Sequence, residues 1–449
     1  MSRPSIARVG VVLAALVPVS STFAQDSTWV LASPPTAAPK VSACASAYDP
    51  VSGRVIVFGG TTASGYSSDT YAFDGVTWTK LTLTTHPTAR AASRMTFDEA
   101  TQKLVMFGGY FAGTHNSTYF AETWIFDGAA NTWTKALPAH SPVGVTGPVM
   151  FTDPTTGSAM EFGGFNGQFY QLVTWRWTGA DWQQLSPANT PSARAAALAA
   201  LDPTRHQVVM YGGLGSVNPD NTWVWNGADW LVQSPTTQPP LRYDAGAVFD
   251  PRRGTVVAFG GAGGFLPYND AWEWTGSDWQ MLSPQASPPG RNACAIAYHA
   301  GLHRIVIASG NGASSILTDT WTFVDEFFPA GPGLAGTLGT PTLSGSGDLT
   351  PGSATGFTIT LGNELPSTNT LLFASLGVSS VPLAGGLLYP FPVTIVLPVA
   401  TGASGGWSIP ATIPPGVPSN TTFYMQVWCA DPGGPLGANA SNGLGATVP

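Results

Sequence analysis

Residues 194–235, RAAALAALDPTRHQVVMYGGLGSVNPDNTWVWNGADWLVQSP, contain one complete repeat of this chain. Four short apolar runs alternate with turns, and none of them has helical periodicity. Asp202-Pro203 separates the first two runs, Gly212-Gly213 ends the second, and Asn226-Gly227 is a strong hairpin signal between the last two. The stretch therefore predicts four short antiparallel strands, named A to D below.

The same pattern recurs along most of the chain. A tryptophan opens strand D at Trp29, Trp78, Trp133, Trp182, Trp230 and Trp279, with spacings of 49, 55, 49, 48 and 49 residues. A Gly-Gly pair keeps the same spacing, at residues 59–60, 108–109, 163–164, 212–213 and 260–261, and Ser309-Gly310 takes its place in the sixth unit. Two markers that share even the 55-residue step indicate one unit repeated six times.

These features resemble the kelch-repeat β-propeller family over residues 29 to 325, because kelch units of about 50 residues carry a Gly-Gly pair, an aromatic residue and a tryptophan at such offsets. The matching pieces include residues 55–60 with Trp78 and residues 104–109 with Trp133. The resemblance implies an all-β fold, a six-bladed kelch-type β-propeller with four-stranded blades.

The two ends of the repeat region complement each other. The chain begins with an isolated strand D at Trp29, and the sixth unit ends after a strand C that contains Trp321. We therefore expect the N-terminal strand to close the last blade and to cover two sheet edges. This assigns residues 25–328 to the propeller.

Residues 329–449 have a different composition. From residue 331 onward they contain Asp348, Glu364 and Asp431 but no Lys, Arg or His. Alternating runs such as 357–361 and 393–397 predict short strands, and we expect a small β-sandwich-like domain. The closing run, residues 423–442, is similar to the C-terminal β domains appended to secreted bacterial repeat proteins.

The N-terminus has the pattern of an export signal. Arg3 and Arg8 precede a short apolar run at residues 9–20, and residues 22–24 offer a small-residue cleavage site. We expect a signal peptide over residues 1–24, cleavage near Ala24, and a secreted, periplasmic or cell-surface protein. No other stretch of about 18 apolar residues exists, so no transmembrane anchor is predicted.

Charge limits the class of partner. Charged residues make up 9% of the chain and the formal net charge is -8, which argues against nucleic acid because phosphate binding needs clustered Lys and Arg. The six histidines do not have the paired spacing of metal ligands, and no Ser-His-Asp arrangement or phosphate loop is visible. The sequence thus predicts no metal and no cofactor.

Four arginines occupy the same position at the start of strand A: Arg90, Arg194, Arg242 and Arg291. The kelch resemblance implies that strand A lines a central channel and that the D–A and B–C loops share one face. The four guanidiniums would then surround a channel mouth and bind an anionic ligand. The alternative is that each pairs inside the repeat with an acidic residue near strand C, drawn from Asp69, Glu122, Asp270 and Asp319.

Aromatic residues in the B–C loops are a second set of candidates for binding. They are Tyr110, Phe111 and Tyr119 in the second repeat, Phe169 and Tyr170 in the third, and Phe265 and Tyr268 in the fifth. Exposed rings of this kind suit sugar stacking or a protein hot spot. The alternative is that the loops fold over the face and pack on one another.

Two cysteines share one repeat position. Cys44 and Cys294 each lie five residues before the A–B turn, in the first and sixth repeats, which ring closure makes neighbours. In an oxidising compartment these two thiols could form a disulfide across this seam. The alternative is that the position requires only a small residue.

The function predicted from the sequence is a secreted, non-catalytic binding protein that recognises a glycan or protein ligand on the loop face. Two alternatives stay open. One is an enzyme similar to a sugar-acid mutarotase, a kelch-type activity in which the arginine set would hold the substrate carboxylate. The other is a structural component of the cell surface or matrix. The sequence does not identify the ligand, the oligomeric state or the role of the C-terminal domain.

Overall fold

The regular secondary structure of the described residues is almost entirely β-strand. The computed structural model describes residues 27–114, 116–217, 221–284, 286–325, 327–347, 349, 351–353, 356–418 and 421–448. The signal peptide predicted at residues 1–24 lies outside these residues. Within them, no helix is long and apolar enough to cross a membrane.

In the described part of the chain, each repeat contributes strands A, B, C and D to one four-stranded antiparallel sheet, and there are six such sheets. Sheet 1 contains Ala45–Asp49, Arg54–Phe58, Thr70–Phe73 and Trp78–Lys80; sheet 2 contains Arg94–Asp98, Lys103–Phe107, Thr123–Asp127 and Thr132–Lys135; sheet 3 contains Val149–Thr152, Ala159–Phe162, Thr174–Trp177 and Trp182–Leu185. Sheet 4 contains Leu198–Asp202, Gln207–Tyr211, Thr222–Trp225 and Trp230–Gln233; sheet 5 contains Gly246–Asp250, Thr255–Phe259, Ala271–Trp274 and Trp279–Leu282; sheet 6 contains Ala295–His299, Arg304–Ala308, Thr320–Asp325 and the N-terminal strand Ser27–Ala32.

The N-terminal strand completes sheet 6, as the sequence predicts. Ser27–Ala32 pairs antiparallel with Thr320–Asp325, and Leu31 lies opposite Trp321. Trp29 is buried between Phe259 and Phe323, with ring centroids 5.0 and 4.8 Å away. Closure therefore joins two segments almost three hundred residues apart through both hydrogen bonds and an apolar core.

Neighbouring sheets pack through apolar cores that the repeated tryptophans fill. Strand A of each sheet contacts strand A of the next, and that of sheet 6 contacts that of sheet 1, so the innermost strands form a closed cycle. In five sheets the indole N–H of the strand-D tryptophan donates to a threonine hydroxyl on strand C of the preceding sheet. These pairs are Trp78–Thr320, Trp133–Thr70, Trp182–Thr123, Trp230–Thr174 and Trp279–Thr222, at 2.7–3.0 Å.

The Gly-Gly pair fastens each sheet to the start of the next repeat. Gly213 N–H donates to the carbonyl of Arg242 at 2.8 Å, and the same bond recurs in the other repeats. A Cβ on Gly212, whose φ is +72°, would lie 2.3 Å from that carbonyl oxygen. Glycine adopts this φ without strain and leaves room for the carbonyl, which explains the marker in five repeats, and Ser309 takes the position with a φ of 61° in the sixth.

A ring of backbone hydrogen bonds surrounds the channel just before the A strands. One residue per repeat adopts a left-handed conformation with φ between 52° and 59°: Ala43, Ala92, Gly147, Ala196, Asp244 and Ala293. Each N–H donates to the carbonyl of its equivalent in the preceding repeat at 2.7–2.9 Å, and Ala43 donates to Ala293. The six bonds form a closed cycle, called the amide ring below.

Beyond sheet 6 the chain forms further antiparallel sheets. One sheet contains, in order, Phe327–Gly331, Gly443–Thr447, Thr422–Ala430, Asn369–Ser375 and Ile395–Ala400, and Ala438–Ala440 also pairs with Thr422–Ala430. A second sheet contains Thr342–Gly347, Phe357–Gly362 and Trp407–Ala411. A hairpin is formed by Val378–Leu383 and Gly386–Pro390, and Pro435–Gly437 is a 3-10 turn. A single apolar core joins the first two sheets, with Leu361 and Phe357 from one and Leu372, Val427 and Ala446 from the other.

Candidate functional site: the loop face

The B–C loops and the D–A loops lie on one side of the sheets, called the loop face; the A–B and C–D turns form the opposite turn face. The two loop types are joined by short β-bridges at equivalent positions, such as Ala91 with Tyr110, Thr146 with Phe165 and Tyr243 with Ala262. This pairing fixes the base of each B–C loop. The side chains at the loop tips are therefore presented from an ordered frame.

The four arginines do not present their guanidiniums to solvent. Arg90, Arg194, Arg242 and Arg291 are at most 1% exposed. Each donates from Nη1 to the backbone carbonyl eighteen residues later, at the first position of the Gly-Gly pair. These donors are used inside their own sheets, whereas the arginines as an anion-binding set at a channel mouth stay a prediction.

Each arginine also pairs with the residue that precedes strand C. Arg242 binds Asp270 through two hydrogen bonds of 2.7 and 2.8 Å, and Arg291 binds Asp319 with the same geometry. Arg90 binds Glu122, and Arg194 binds the amide oxygen of Asn221. A tryptophan two residues further on donates its indole N–H to the same carboxylate in three sheets, as Trp272 does to Asp270 at 2.8 Å.

Where the arginine is absent, its partner changes too. The third repeat has Val145 and Val173 at the two positions, so an apolar pair replaces the ion pair. The first repeat has Val41, and its Asp69 pairs instead with the exposed Lys80. Matched replacement within one chain indicates a structural unit of the repeat, which is the alternative that the sequence left open.

The electrostatics agree with a structural role. Burial by itself raises the pKa of Glu122, but hydrogen bonds from Lys135 and Arg90 outweigh it and lower the pKa to about 2. Burial likewise opposes ionisation of Asp270 and Asp319, yet their arginine partners hold both pKa values below the usual range. These carboxylates are charged at neutral pH and are already neutralised by partners within the chain.

Two aromatic loop residues cover the buried arginines. The guanidinium of Arg242 lies 4.5 Å from the ring centroid of Tyr268, and that of Arg90 lies 3.7 Å from Phe120. Tyr268, predicted as a ligand contact, thus has a packing role. The sequence did not single out Phe120, although Phe120 precedes strand C of its repeat by the same number of residues as Tyr268 does in the fifth repeat.

The remaining predicted aromatics divide into a chain and exposed tips. Ring contacts run from Phe111 through Tyr66 and Tyr110 to Tyr119, then through Phe165 to Tyr170, with centroid separations of 4.9–6.2 Å. This aromatic chain crosses sheets 1 to 3 along the loop face. The loops therefore pack on one another in part, while Phe111 keeps an exposed edge.

Other loop tips expose apolar side chains almost completely. Phe265 is fully exposed, and Leu266 and Phe169 are 65% and 61% exposed. Val217 in the fourth repeat and Leu172 in the third are exposed as well. Together with Phe111 they place an apolar tip on each of sheets 2 to 5, and we call them the apolar tips.

Cys44 and Cys294 are free thiols that line one central cavity. Burial raises the pKa of Cys44 to about 12 and that of Cys294 to about 11. The disulfide between them stays a prediction. In the described residues, no group of three or more His, Cys, Asp and Glu side chains is placed to hold a metal ion.

Three charged residues were not singled out from the sequence, although each stands at a repeat position where the other five repeats have small or apolar residues. Glu161 is a buried carboxyl where the other repeats have Val57, Met106, Met210, Ala258 and Ile307. Arg94 and Asp244 are charged residues in columns of small or apolar residues. An alignment of the six repeats against each other, column by column, would have marked all three.

Comparison with known protein families agrees with the architecture. Residues 21–213 match the family model described as the KLHDC2/KLHL20/DRC7 Kelch-repeats domain. This part of the chain is similar to kelch repeats. The match covers the first three repeats and part of the fourth, and the same strand pattern continues to strand C of sheet 6. Kelch repeats form β-propellers and typically mediate protein–protein interaction, which is consistent with a non-catalytic binding role.

Proposed function

We propose that this chain is an exported, non-catalytic binding protein that holds a protein partner on the loop face of a six-bladed kelch propeller. Residues 25–328 form the propeller in this proposal, and residues 329–449 form a separate β-sandwich-like domain. The closed cycle of A strands supports the blade count. The apolar core shared by the two sheets after residue 327 supports the second domain.

The observation that carries the proposal is the set of apolar tips. Exposed Phe265, Leu266, Phe169 and Phe111 lie on a frame that the β-bridges hold in place. Exposed aromatic side chains on one face are typical of protein interaction surfaces, where a few buried rings supply most of the binding energy. The turn face lacks such a set: Val51 and Val76 are its large apolar side chains exposed in the described turns.

Charge favours a partner that is not strongly anionic. The six B–C loops, between the Gly-Gly position and strand C, contain no Lys or Arg. The four arginines beneath them are buried and paired. The sugar-acid mutarotase alternative loses its main support, because a substrate carboxylate would have to displace the internal partners of these guanidiniums.

Export rests on residues 1–24, whose basic start, apolar run and small-residue site support removal near Ala24. Edman sequencing of the protein recovered from outside the cytoplasm tests this part. An N-terminus near Gln25 is expected, and an intact Met1 in that fraction would contradict export by a cleaved signal.

A photo-crosslinking residue placed at Phe169 or Phe265 tests the binding surface in the producing cells. We expect the same discrete adduct from both positions, identified as one protein by mass spectrometry. The matched control carries the crosslinker at Val76 on the turn face. Adducts at Val76 but not at the tips would refute the loop face as the binding surface.

A combined Phe169→Ser, Phe265→Ser and Leu266→Ser variant provides the second measurement. These side chains are exposed, so the unfolding temperature should change little, while the crosslink to a remaining position such as Phe111 should disappear. Selective binding of the wild-type tips to glycans instead of a protein would also contradict the proposal.

A further inference from the structure

The centre of the propeller contains a cavity of about 500 Å³. It is lined by the A strands and extends from the amide ring to the turn face. Asp244 and Ala293 of the ring contribute to its wall, and Glu99 and Pro203 lie at its other end. The B–C loops do not line the cavity in the described structure, so it is separate from the apolar tips.

An ion pair crosses the closed end of this cavity. Arg94 Nη2 lies 2.6 Å from Asp244 Oδ1, and the two side chains are 23% and 22% exposed. Arg94 belongs to sheet 2 and Asp244 to the repeat of sheet 5, which are opposite one another in the cycle of six. The pair therefore spans the diameter of the channel next to the amide ring.

The fold does not need this pair. At the position of Asp244 the other five repeats have alanine or glycine, and at the position of Arg94 they have Ala45, Val149, Leu198, Gly246 and Ala295. Five repeats thus form the same strands with small or apolar residues. Two exceptions that meet each other across an open cavity indicate a role beyond the repeat.

The closed end offers paired hydrogen-bonding groups without net charge. Arg94 uses Nη2 for Asp244 and Nη1 for the carbonyl of Ser93, and its guanidinium has five N–H donors in all. The Asp244 carboxylate has further lone pairs. Because the two charges cancel, an ionised ligand gains little attraction here. A hydroxyl group, which both donates and accepts, matches the pair.

The walls complement a ligand with both polar and apolar surfaces. Ser46 and Thr96 add hydroxyl groups to the lining; the Thr96 hydroxyl is hydrogen-bonded to that of Thr152, and Ser46 Oγ accepts from the N–H of Ile296. Half-buried aromatic rings of Tyr48, Phe97 and Phe249 line the turn-face end. Aromatic surfaces together with hydroxyl and charged groups in one cavity are a combination that binds the C–H faces and hydroxyls of a sugar.

We propose that this cavity, the channel pocket, is a binding site for a neutral mono- or disaccharide that enters from the turn face. The Arg94–Asp244 pair holds sugar hydroxyls at the closed end, and the aromatic rings pack against the sugar at the opening. The site is independent of protein binding at the loop face.

Titration of the full chain with a panel of neutral mono- and disaccharides tests the proposal, by calorimetry and by saturation-transfer NMR. The decisive variant is Arg94→Ala with Asp244→Ala, because both substitutions restore residues that other repeats have at these positions. We expect its unfolding temperature to stay close to that of the wild type and its affinity for the bound sugar to fall roughly 10- to 100-fold.

The matched control removes another ion pair, Lys80 with Asp69, whose side chains are 56% and 37% exposed and lie outside the cavity. The double alanine variant of that pair should bind the sugar normally. Phe249→Ala gives a second measurement at the cavity opening and should weaken binding without abolishing it.

Three results would overturn the proposal. The first is the absence of saturable binding to every neutral sugar in the panel. The second is unchanged affinity in the Arg94→Ala, Asp244→Ala variant. The third is selective binding of uronic or sialic acids, because a preference for carboxylates contradicts the neutral character of the ion pair.

Discussion

Glu161 gives the sharpest test of the interblade packing. It lies on strand B of sheet 3, opposite Met150 on strand A and Trp175 on strand C. It is 2% exposed, and its Oε1 has no hydrogen-bond partner. Met150 and Trp175 belong to an apolar cluster with Val105 and Phe107 of sheet 2. A carboxyl group is thus placed in a core that the other repeats fill with aliphatic side chains.

Burial raises the pKa of Glu161 well above its ordinary value of 4.5. The folded protein therefore binds this proton more tightly than the unfolded chain does. The contribution of Glu161 to stability is greatest below pH 4.5 and is lost as the pH rises towards the folded-state pKa. Across that interval the free energy of unfolding should fall by about 1.4 kcal/mol per pH unit through this group alone.

Two substitutions separate ionisation from polarity. Glu161→Gln removes the titration but keeps an unsatisfied polar group, so it should abolish the slope. Glu161→Met copies Met106 and Met210 and should also remove the desolvation cost of the polar group, a further gain of about 1–3 kcal/mol. The reverse variant, Met210→Glu, should introduce the same slope into sheet 4.

The assay is urea unfolding followed by tryptophan fluorescence at several values between about pH 5 and about pH 8. Differences between variants are compared at each pH, because His299, whose pKa burial lowers, titrates in wild type and variants alike. Equal pH dependence in the wild type and in Glu161→Gln would refute the reasoning. Destabilisation by Glu161→Met at neutral pH would do so as well.

Three further predictions concern the repeat positions. The buried indole N–H of Trp29 has no acceptor, because Ala271 stands where the other sheets have threonine. Ala271→Thr should therefore stabilise the protein by about 1 kcal/mol in thermal unfolding, and Thr222→Ala should destabilise it because Trp279 loses its acceptor. Ala196 has a φ of 56° in the amide ring, so Ala196→Gly should raise the stability by about 1 kcal/mol. Ala45→Gly, in an ordinary strand, should lower it. Equal losses of stability in the two variants would contradict backbone strain at Ala196. Treatment with an oxidant should join Cys44 to Cys294, and the intact mass should fall by two hydrogens. The reaction should be slow because burial raises the pKa of both thiols. An unchanged mass, or the same loss in Cys44→Ser, would exclude the bridge.

The repeat markers predict the strand order because each marker has one local cause. Gly212 is required by a close carbonyl, and Trp230 requires a threonine on the preceding sheet. Such causes act at fixed sequence offsets and are visible in one dimension. Closure by Trp29 was predictable for the same reason, since the missing strand and the surplus strand were both recognisable.

The site was harder to predict because exposure depends on the third dimension. The spacing shared by four repeats places Arg242 at the start of strand A, but this spacing does not show whether the side chain faces solvent or Asp270. The loop aromatics have a similar ambiguity: Tyr268 covers an arginine, while Phe265, three residues earlier, is fully exposed. Arg94 and Asp244 are 150 residues apart, and only the circular order of sheets brings them together.

The amide ring limits how this protein can change its number of repeats. An open array of repeats gains or loses a unit at its end and keeps every other contact. A cycle in which each peptide donates to the one before it has no end at which to add a unit. Insertion of a seventh repeat would have to break one of these bonds and re-form the cycle at a larger circumference, with every left-handed residue adjusting its angle to its neighbours. The number of repeats therefore determines the width of the channel in this architecture, and a change in one requires a change in the other.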